Sequence, residues 1–202
     1  MDLAQTYNRI AEDWHRDHQS DDWWVGGTNE FTSRLPVGGS VLDVGCGSGV
    51  KSAYLLERGF KITGIDISDN LLAIARTVAP AAEFRNLSMT YLGGLPETFD
   101  GIFAQASLLH IPKTEVPSVI TKFVEHATPR GLIYLAVKER CEGGPEEEVK
   151  EEDDLGYTYE RFFSYFTMLE LESYLANVGV KVVWKDRAPS GKTVWLQIIG
   201  QK

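Results

Sequence analysis

Apolar and polar positions alternate along the chain in two rhythms. Leu3, Tyr7, Ile10, Ala11 and Trp14 fall three and four apart, the stripe of an amphipathic helix over residues 3–18. After the Pro36-Val37-Gly38-Gly39 break, the short β-branched run from Ser40 to Val44 reads as a buried strand. Residues 51–57 predict a helix closed by Gly59, and residues 61–65 a strand that ends on Asp66. The next helix takes its cap from Ser68 or Asp69 and stops near Pro80. Further strands are expected over 82–87, 99–104 and 132–137, with a helix over 115–126 before the last of these. A final helix over 169–177 leads to strands at 180–184 and 193–199. The short turn at 189–192 makes that pair antiparallel.

Strands that alternate with helices imply crossover units and a mostly parallel sheet, so the expected class is doubly wound α/β. At 202 residues the chain falls below the size at which cores divide, and residues 1–202 are read as one domain. One stretch breaks the rhythm. Residues 139–166 are acidic first, from Glu142 to Asp154, and then aromatic, with Tyr157, Tyr159, Phe162, Phe163, Tyr165 and Phe166. Long irregular insertions are uncommon in compact domains and often functional. The acidic half is expected to be a solvated loop, because like charges repel one another into water.

Composition narrows the function classes. The 43% hydrophobic and 24% charged fractions are those of an ordinary globular protein. A formal net charge of -9 works against a polyphosphate partner, whose binding draws on lysine and arginine, so no nucleic acid is expected. Cys46 and Cys141 are too few for a disulfide framework and are not spaced as metal ligands, which suits a reducing compartment and implies no metal. The start, Met1-Asp2-Leu3-Ala4, is acidic and polar, and no run approaches the roughly 20 apolar residues of a membrane span. A cytoplasmic protein without a membrane partner is the expectation.

The segment Asp43-Val44-Gly45-Cys46-Gly47-Ser48-Gly49 lies between the first strand and the following helix. Glycines there turn the backbone sharply and admit a ligand where a side chain would stand. The spacing is not that of a dinucleotide loop: counted from Gly45, the third glycine comes one place early and Val50 holds its position. The Gly-Lys-Ser or Gly-Lys-Thr ending of a phosphate loop is also missing. A nucleoside cofactor without phosphates fits better. Asp66 ends the second strand, where a carboxylate accepts both ribose hydroxyls; a turn or helix-capping aspartate is the simpler alternative.

Together these residues resemble the class I S-adenosylmethionine-dependent methyltransferases. Residues 41–49 look like their first motif, and Gly64-Ile65-Asp66-Ile67-Ser68 looks like their second. The run Phe99-Asp100-Gly101-Ile102-Phe103-Ala104-Gln105-Ala106-Ser107-Leu108-Leu109-His110 and the entry Pro129-Arg130-Gly131-Leu132 match as well, so the resemblance spans nearly the whole chain. It implies a Rossmann-like three-layer sandwich whose seven-stranded, mostly parallel sheet ends in an antiparallel hairpin. It also implies S-adenosylmethionine as cofactor, S-adenosylhomocysteine as product and a small-molecule methyl acceptor. By the same resemblance Asp43, Gly45, Cys46, Gly47 and Gly49 form the cofactor loop, Asp66 holds the ribose and Ile67 lies against the adenine. Ser88 and Met89 stand near the place of the usual adenine-binding acid, and Gln105 and Ala106 border the cofactor after the fourth strand. Residues 1–35 are similar to the lid of small-molecule members, in which Tyr7 and Trp14 would cover the cofactor; plain helix packing accounts for both equally.

Methyl transfer from a sulfonium is an in-line displacement, and aligning the partners supplies roughly 7–11 kcal/mol. An acceptor with a proton to lose also needs a base within hydrogen-bond reach. His110 is the candidate, with fixing the loop or touching the cofactor as alternatives. The acceptor pocket is expected in the insertion, walled by Tyr157 and Tyr165, while Phe162, Phe163 and Phe166 serve either that wall or the core. Such rings favour a flat or a cationic acceptor. A monomer or weak homodimer is expected. The chain carries neither the Asn-Pro-Pro-Tyr type of motif nor the Pro-Cys nucleophile of DNA methylation. Two rival readings stand beside this one. A nicotinamide oxidoreductase is opposed by the glycine spacing and by a Tyr-x-x-x-Lys pair that occurs only as Tyr134 and Lys138 within a predicted strand. The other rival is a non-catalytic cofactor-binding protein of the same fold.

Overall fold

Asp2 starts the first helix, α1 (Leu3–His18), by accepting from the Gln5 N–H, and Ile10 and Ala11 are its buried stripe. The computed structural model describes residues 2–95 and 97–202. A second helix follows, α2 (Val25–Thr32), where the sequence shows only two glycines and no capping side chain. Glycine is a poor helix former, which hides α2 from propensity; burial of Thr28 and Phe31 holds it in place.

From there strands and helices alternate as predicted: β1 (Ser40–Val44), α3 (Val50–Glu57), β2 (Lys61–Asp66), α4 (Asp69–Val78), β3 (Glu83–Asn86), β4 (Phe99–Gln105), α5 (Val116–His126) and β5 (Ala127–Lys138). Ser68, not Asp66, caps α4, since its hydroxyl accepts from the Leu71 N–H. The five strands pair in parallel in the order β3-β2-β1-β4-β5. The chain moves outward from β1 to β2 and β3 on one side and returns to β4 and β5 on the other. Between β1 and β4 the connections diverge, and a crevice opens at the carboxyl ends of the strands.

The insertion is not an irregular loop. It holds an antiparallel ribbon of β6 (Glu147–Glu152) and β7 (Tyr159–Ser164). The expectation of a solvated acidic loop is corrected as to the loop, while most of its acidic side chains are exposed; Glu152 pairs with Arg161, Glu146 with Arg140, and the Tyr165 hydroxyl donates to Glu148 at 2.7 Å. On β7 the buried residues Tyr159, Arg161 and Phe163 alternate with more exposed ones, while β6 has almost no apolar alternation to reveal a strand. Next comes α6 (Met168–Asn177), opened by a reciprocal capping box between Thr167 and Glu170. The predicted terminal hairpin is β8 (Lys181–Ser190) with β9 (Thr193–Gln201), and β9 lies antiparallel between β5 and β8, completing a 7-stranded sheet. One sheet face, with Leu42, Ile102, Ile133 and Leu135, packs against α5 and α6 residues such as Phe123 and Leu171. The other, with Val41, Phe103, Tyr134 and Ala136, packs against Phe31 of α2 and Leu55 of α3.

Candidate functional site

The carboxyl ends of β1, β2 and β4, the loop after β3 and the helix α1 enclose a cavity of about 150 Å³. Tyr7 and Trp14 line it from α1; Asp43, Gly45, Cys46 and Gly47 from the end of β1 and its loop; Asp66 and Ile67 from the end of β2. Ser88 and Met89 follow β3, and Gln105, Ala106 and His110 close the β4 side. Gly49 is not among the lining residues, because it is packed beneath the cleft against Ala75 of α4. His18, which could face the cleft if α1 folds over it, does line it, whereas Ser48, Lys51 and Ser107 were not expected as lining residues. No motif spacing marks them; the turn after β4 brings Ser107 in, where its hydroxyl donates to the Val44 carbonyl at 2.6 Å.

Two buried carboxylates organise the glycine loop. Asp66, 9% exposed, accepts from the Gly47 N–H through Oδ2 and from the Ser68 N–H through Oδ1, each at 2.9 Å. Burial raises its pKa, and backbone N–H groups pull it partly back. Asp43, 2% exposed, accepts the Ser52 hydroxyl at 2.6 Å. Burial pushes its carboxyl up to about 6. Because the folded pKa exceeds the unfolded one, Asp43 contributes stability that is complete below about pH 4 and is lost as pH rises through about 6. Asp43→Asn, which keeps an acceptor for Ser52 and does not titrate, is expected to match the wild type near pH 4 and to exceed it by roughly 2–3 kcal/mol at pH 8. Urea denaturation of both proteins at the two pH values checks this; an equal gap at both would mean that Asp43 is not held against its charge.

Helix α1 is tied down at five places. The His110 Nδ1 faces the Phe162 carbonyl at 2.7 Å and so carries the ring proton, which leaves Nε2 to accept from the Tyr7 hydroxyl at 2.8 Å. Both nitrogens are engaged, and burial pushes the His110 pKa down to about 3. In this arrangement His110 fixes the loop and holds Tyr7; it has no free lone pair with which to take a proton. The His15 Nδ1 lies 3.0 Å from the Ser48 hydroxyl of the glycine loop. Asn8 Oδ1 accepts from the Ser68 hydroxyl and the Asn70 N–H at 2.8 and 3.0 Å, tying α1 to the start of α4.

The fourth latch comes from the ribbon. Arg161 on β7 is 5% exposed. Its Nε donates to Glu152 at 2.6 Å and its Nη1 to the Tyr7 hydroxyl at 3.2 Å, while the guanidinium lies 4.5 Å over Trp14 and 5.0 Å over Phe163. Neither tyrosine expected to wall the acceptor pocket lines the cleft. The Tyr157 hydroxyl donates to Asp13 on α1 at 2.8 Å, with Arg9 over its ring, and Tyr165 points its hydroxyl to Glu148. Phe163 and Phe166 are core residues. The ring faces that would attract a cationic acceptor already hold the protein's own cations, Arg161 and also Lys138, whose Nζ is 4.0 Å over Phe163.

Fold and cleft together define a Rossmann-like protein with a site for a nucleoside cofactor. Residues 41–131 match the family model described as a methyltransferase domain. A ubiquinone biosynthesis O-methyltransferase of Dechloromonas aromatica is 33% identical over 109 residues, covering 52% of this chain and 46% of that protein. A putative methyltransferase of Bacillus subtilis is 27% identical over 169 residues, covering 79% of this chain and 65% of that protein. The 1,6-didemethyltoxoflavin-N1-methyltransferase of Burkholderia thailandensis, solved with 1,6-didemethyltoxoflavin and S-adenosylhomocysteine, has the same fold at a TM-score of 0.78 and 21% identity, over 99% of this chain and 87% of that one. Residues 41–131 thus carry a methyltransferase domain, within a Rossmann-like fold shared with solved S-adenosylmethionine-dependent methyltransferases. The chain spans about half the length of the first of these relatives and 65% of the second.

Proposed function

We propose that the cleft binds S-adenosylmethionine and that the protein transfers its methyl group to a small organic acceptor. The observation that carries this reading is the pairing of Asp66 with the Gly47 N–H beside an open cradle: a Cβ built on Gly47 would meet nothing within 4 Å. The residues present fit the group. Asp66 has lone pairs left for two ribose hydroxyls, Ile67 and Met89 offer apolar surface to an adenine, and the Ser88 hydroxyl stands where family members place an acid. The loop from Gly45 to Gly47 would receive the methionine part, and the buried Asp43 and Asp66 carboxylates favour a cation nearby.

When bound, the cofactor supplies a methyl group on a positively charged sulfur. The chain's own contribution is alignment and exclusion of water, through Tyr7 and Trp14 on the lid and the His110 ring that holds Tyr7. The relatives named above carry O- and N-methyltransferase names, so the family relation leaves the acceptor atom open. Among the described residues no helix is long and apolar enough to cross a membrane, which agrees with an acceptor met in water.

Calorimetric titration tests the reading. Asp66→Ala is expected to weaken S-adenosylmethionine binding by about tenfold or more, roughly 1.4 kcal/mol. Unchanged affinity would remove Asp66 from the site. Binding of NAD in place of S-adenosylmethionine by the wild type would overturn the function.

A further inference from the structure

Among the described residues that line the cleft, Lys51 is the one lysine or arginine. It stands in the first turn of α3, directly after the glycine loop, and is half-buried. The lysines held in ion pairs among the described residues are Lys113, Lys150 and Lys185, and side-chain hydrogen bonds engage Lys122 and Lys202 as well; Lys51 has neither. The unpaired polar atoms that are fully enclosed are Trp24 Nε1 and Gln105 Oε1, so the Lys51 ammonium keeps open surface at the cleft wall. Burying a cation in part without a counterion is costly, and a ligand that brings the anion removes that cost.

The neighbours of Lys51 fix the end of the cleft at which it stands. Its Nζ lies 5.6 Å from the centre of the Trp24 ring. Its charge acts on Asp43 at the end of β1 and on His18 at the end of α1, while Asp43 and Asp21 act back on it. Burial outweighs both carboxylates and lowers the Lys51 pKa. Burial also lowers the pKa of His18, which stacks on Trp14. The imidazole is therefore neutral at pH 7, and Lys51 is the cation of this end.

Helix α1 runs along the cleft and separates its two ends. Near its start, Asn8 is bonded to Ser68 and Asn70 beyond β2, and the cleft is lined there by Leu71, Leu87 and Met89, an apolar setting for an adenine. His18 follows Tyr7 by three helical turns, about 16 Å, and His15 meets Ser48 of the glycine loop on the way. A cofactor with its base at the first end and its ribose at Asp66 extends its amino-acid tail over the glycine loop toward the second. That tail carries a carboxylate as well as two positive groups. Asp43 and Asp66 suit the positive groups, and the carboxylate calls for a cation.

Resting on the methyltransferase reading above, we propose that Lys51 binds the α-carboxylate of the cofactor's methionine moiety, so that the cleft selects S-adenosylmethionine over analogues without that carboxylate. The contact is a charge-assisted hydrogen bond, N–H of the ammonium donating to the carboxylate. Lys51 takes no part in the transfer of the methyl group; it anchors the tail.

Calorimetric titration with S-adenosylmethionine and with its decarboxylated form, which keeps the adenosine, the sulfonium and the amine, tests this. The wild type should bind S-adenosylmethionine about tenfold or more tighter than the decarboxylated form, the range of a hydrogen bond between charged groups. Lys51→Met should erase that preference, weakening S-adenosylmethionine about tenfold and changing the decarboxylated form by no more than about twofold. A preference that survives in Lys51→Met, or an equal weakening of both ligands, overturns the proposal. A wild type that binds the two ligands alike overturns it without any variant. Failure of the wild type to bind either one is a separate outcome, which removes the methyltransferase reading and this proposal with it.

Discussion

Gly47→Val is expected to abolish S-adenosylmethionine binding in a protein that still folds, and Gly49→Val, two residues along the same loop, to damage the fold itself. Both glycines have left-handed backbones, with φ of 54° and 80°, and an L side chain in that region costs about 1–2 kcal/mol. Their surroundings separate them. Around Gly47 the added Cβ meets nothing within 4 Å, so its methyl groups enter the space the cofactor would take. At Gly49 the added Cβ would stand 2.9 Å from both Cα and Cβ of Ala75, and α4 would have to move. Overpacking of this kind costs about 1–3 kcal/mol beyond the backbone strain. At about 2–4 °C per kcal/mol for a chain of this size, Gly47→Val should melt several degrees low and Gly49→Val roughly 10 °C low. Thermal circular dichroism and calorimetric titration read the two effects separately. Affinity within about threefold of wild type in Gly47→Val would show that this loop does not form the cofactor wall.

The sheet was legible because its strands are short apolar runs between glycine or proline breaks, and the parallel order follows from their alternation with helices. The glycine loop and Asp66 were legible for a similar reason: their chemistry depends on neighbours in sequence and on the ends of strands. The lid network was not. Tyr7 and Arg161 are 154 positions apart, and nothing local relates them. The sequence pointed to Tyr157 and Tyr165 as a pocket wall and left Phe162, Phe163 and Phe166 between wall and core, and nothing in it marked Arg161, since an isolated arginine beside an acidic stretch reads as a solvated charge. Once β7 forms, its period of two turns Tyr159, Arg161 and Phe163 to the same inner face. The buried cation then takes the ring faces that an incoming cation would have used. His110 shows the same limit. Its position after β4 was readable, whereas the occupation of its two nitrogens by Phe162 and Tyr7 depends on two other elements.

Arg161→Met is expected to loosen the lid without unfolding the sheet. The guanidinium and its partner Glu152 have side chains only 6% and 9% exposed, and removing one member of a buried pair costs roughly 3–5 kcal/mol. That loss falls on the contact between β7 and α1, because the same group donates to the Tyr7 hydroxyl and lies over Trp14. Amide hydrogen exchange should therefore quicken in α1 and in the β6–β7 ribbon while β1, β4 and β5 keep their protection, and cofactor affinity should fall about tenfold. The double variant Arg161→Met with Glu152→Met separates charge from latch. With no carboxylate left unpaired, its melting temperature should recover in part, since apolar replacement of a buried pair is often neutral. Its cofactor affinity should stay low, because Tyr7 still lacks its donor from the ribbon. Full recovery of both in the double variant would reduce Arg161 to a partner for Glu152, and unchanged exchange of α1 in the single variant would mean that Asn8, His15 and His110 hold the lid without it.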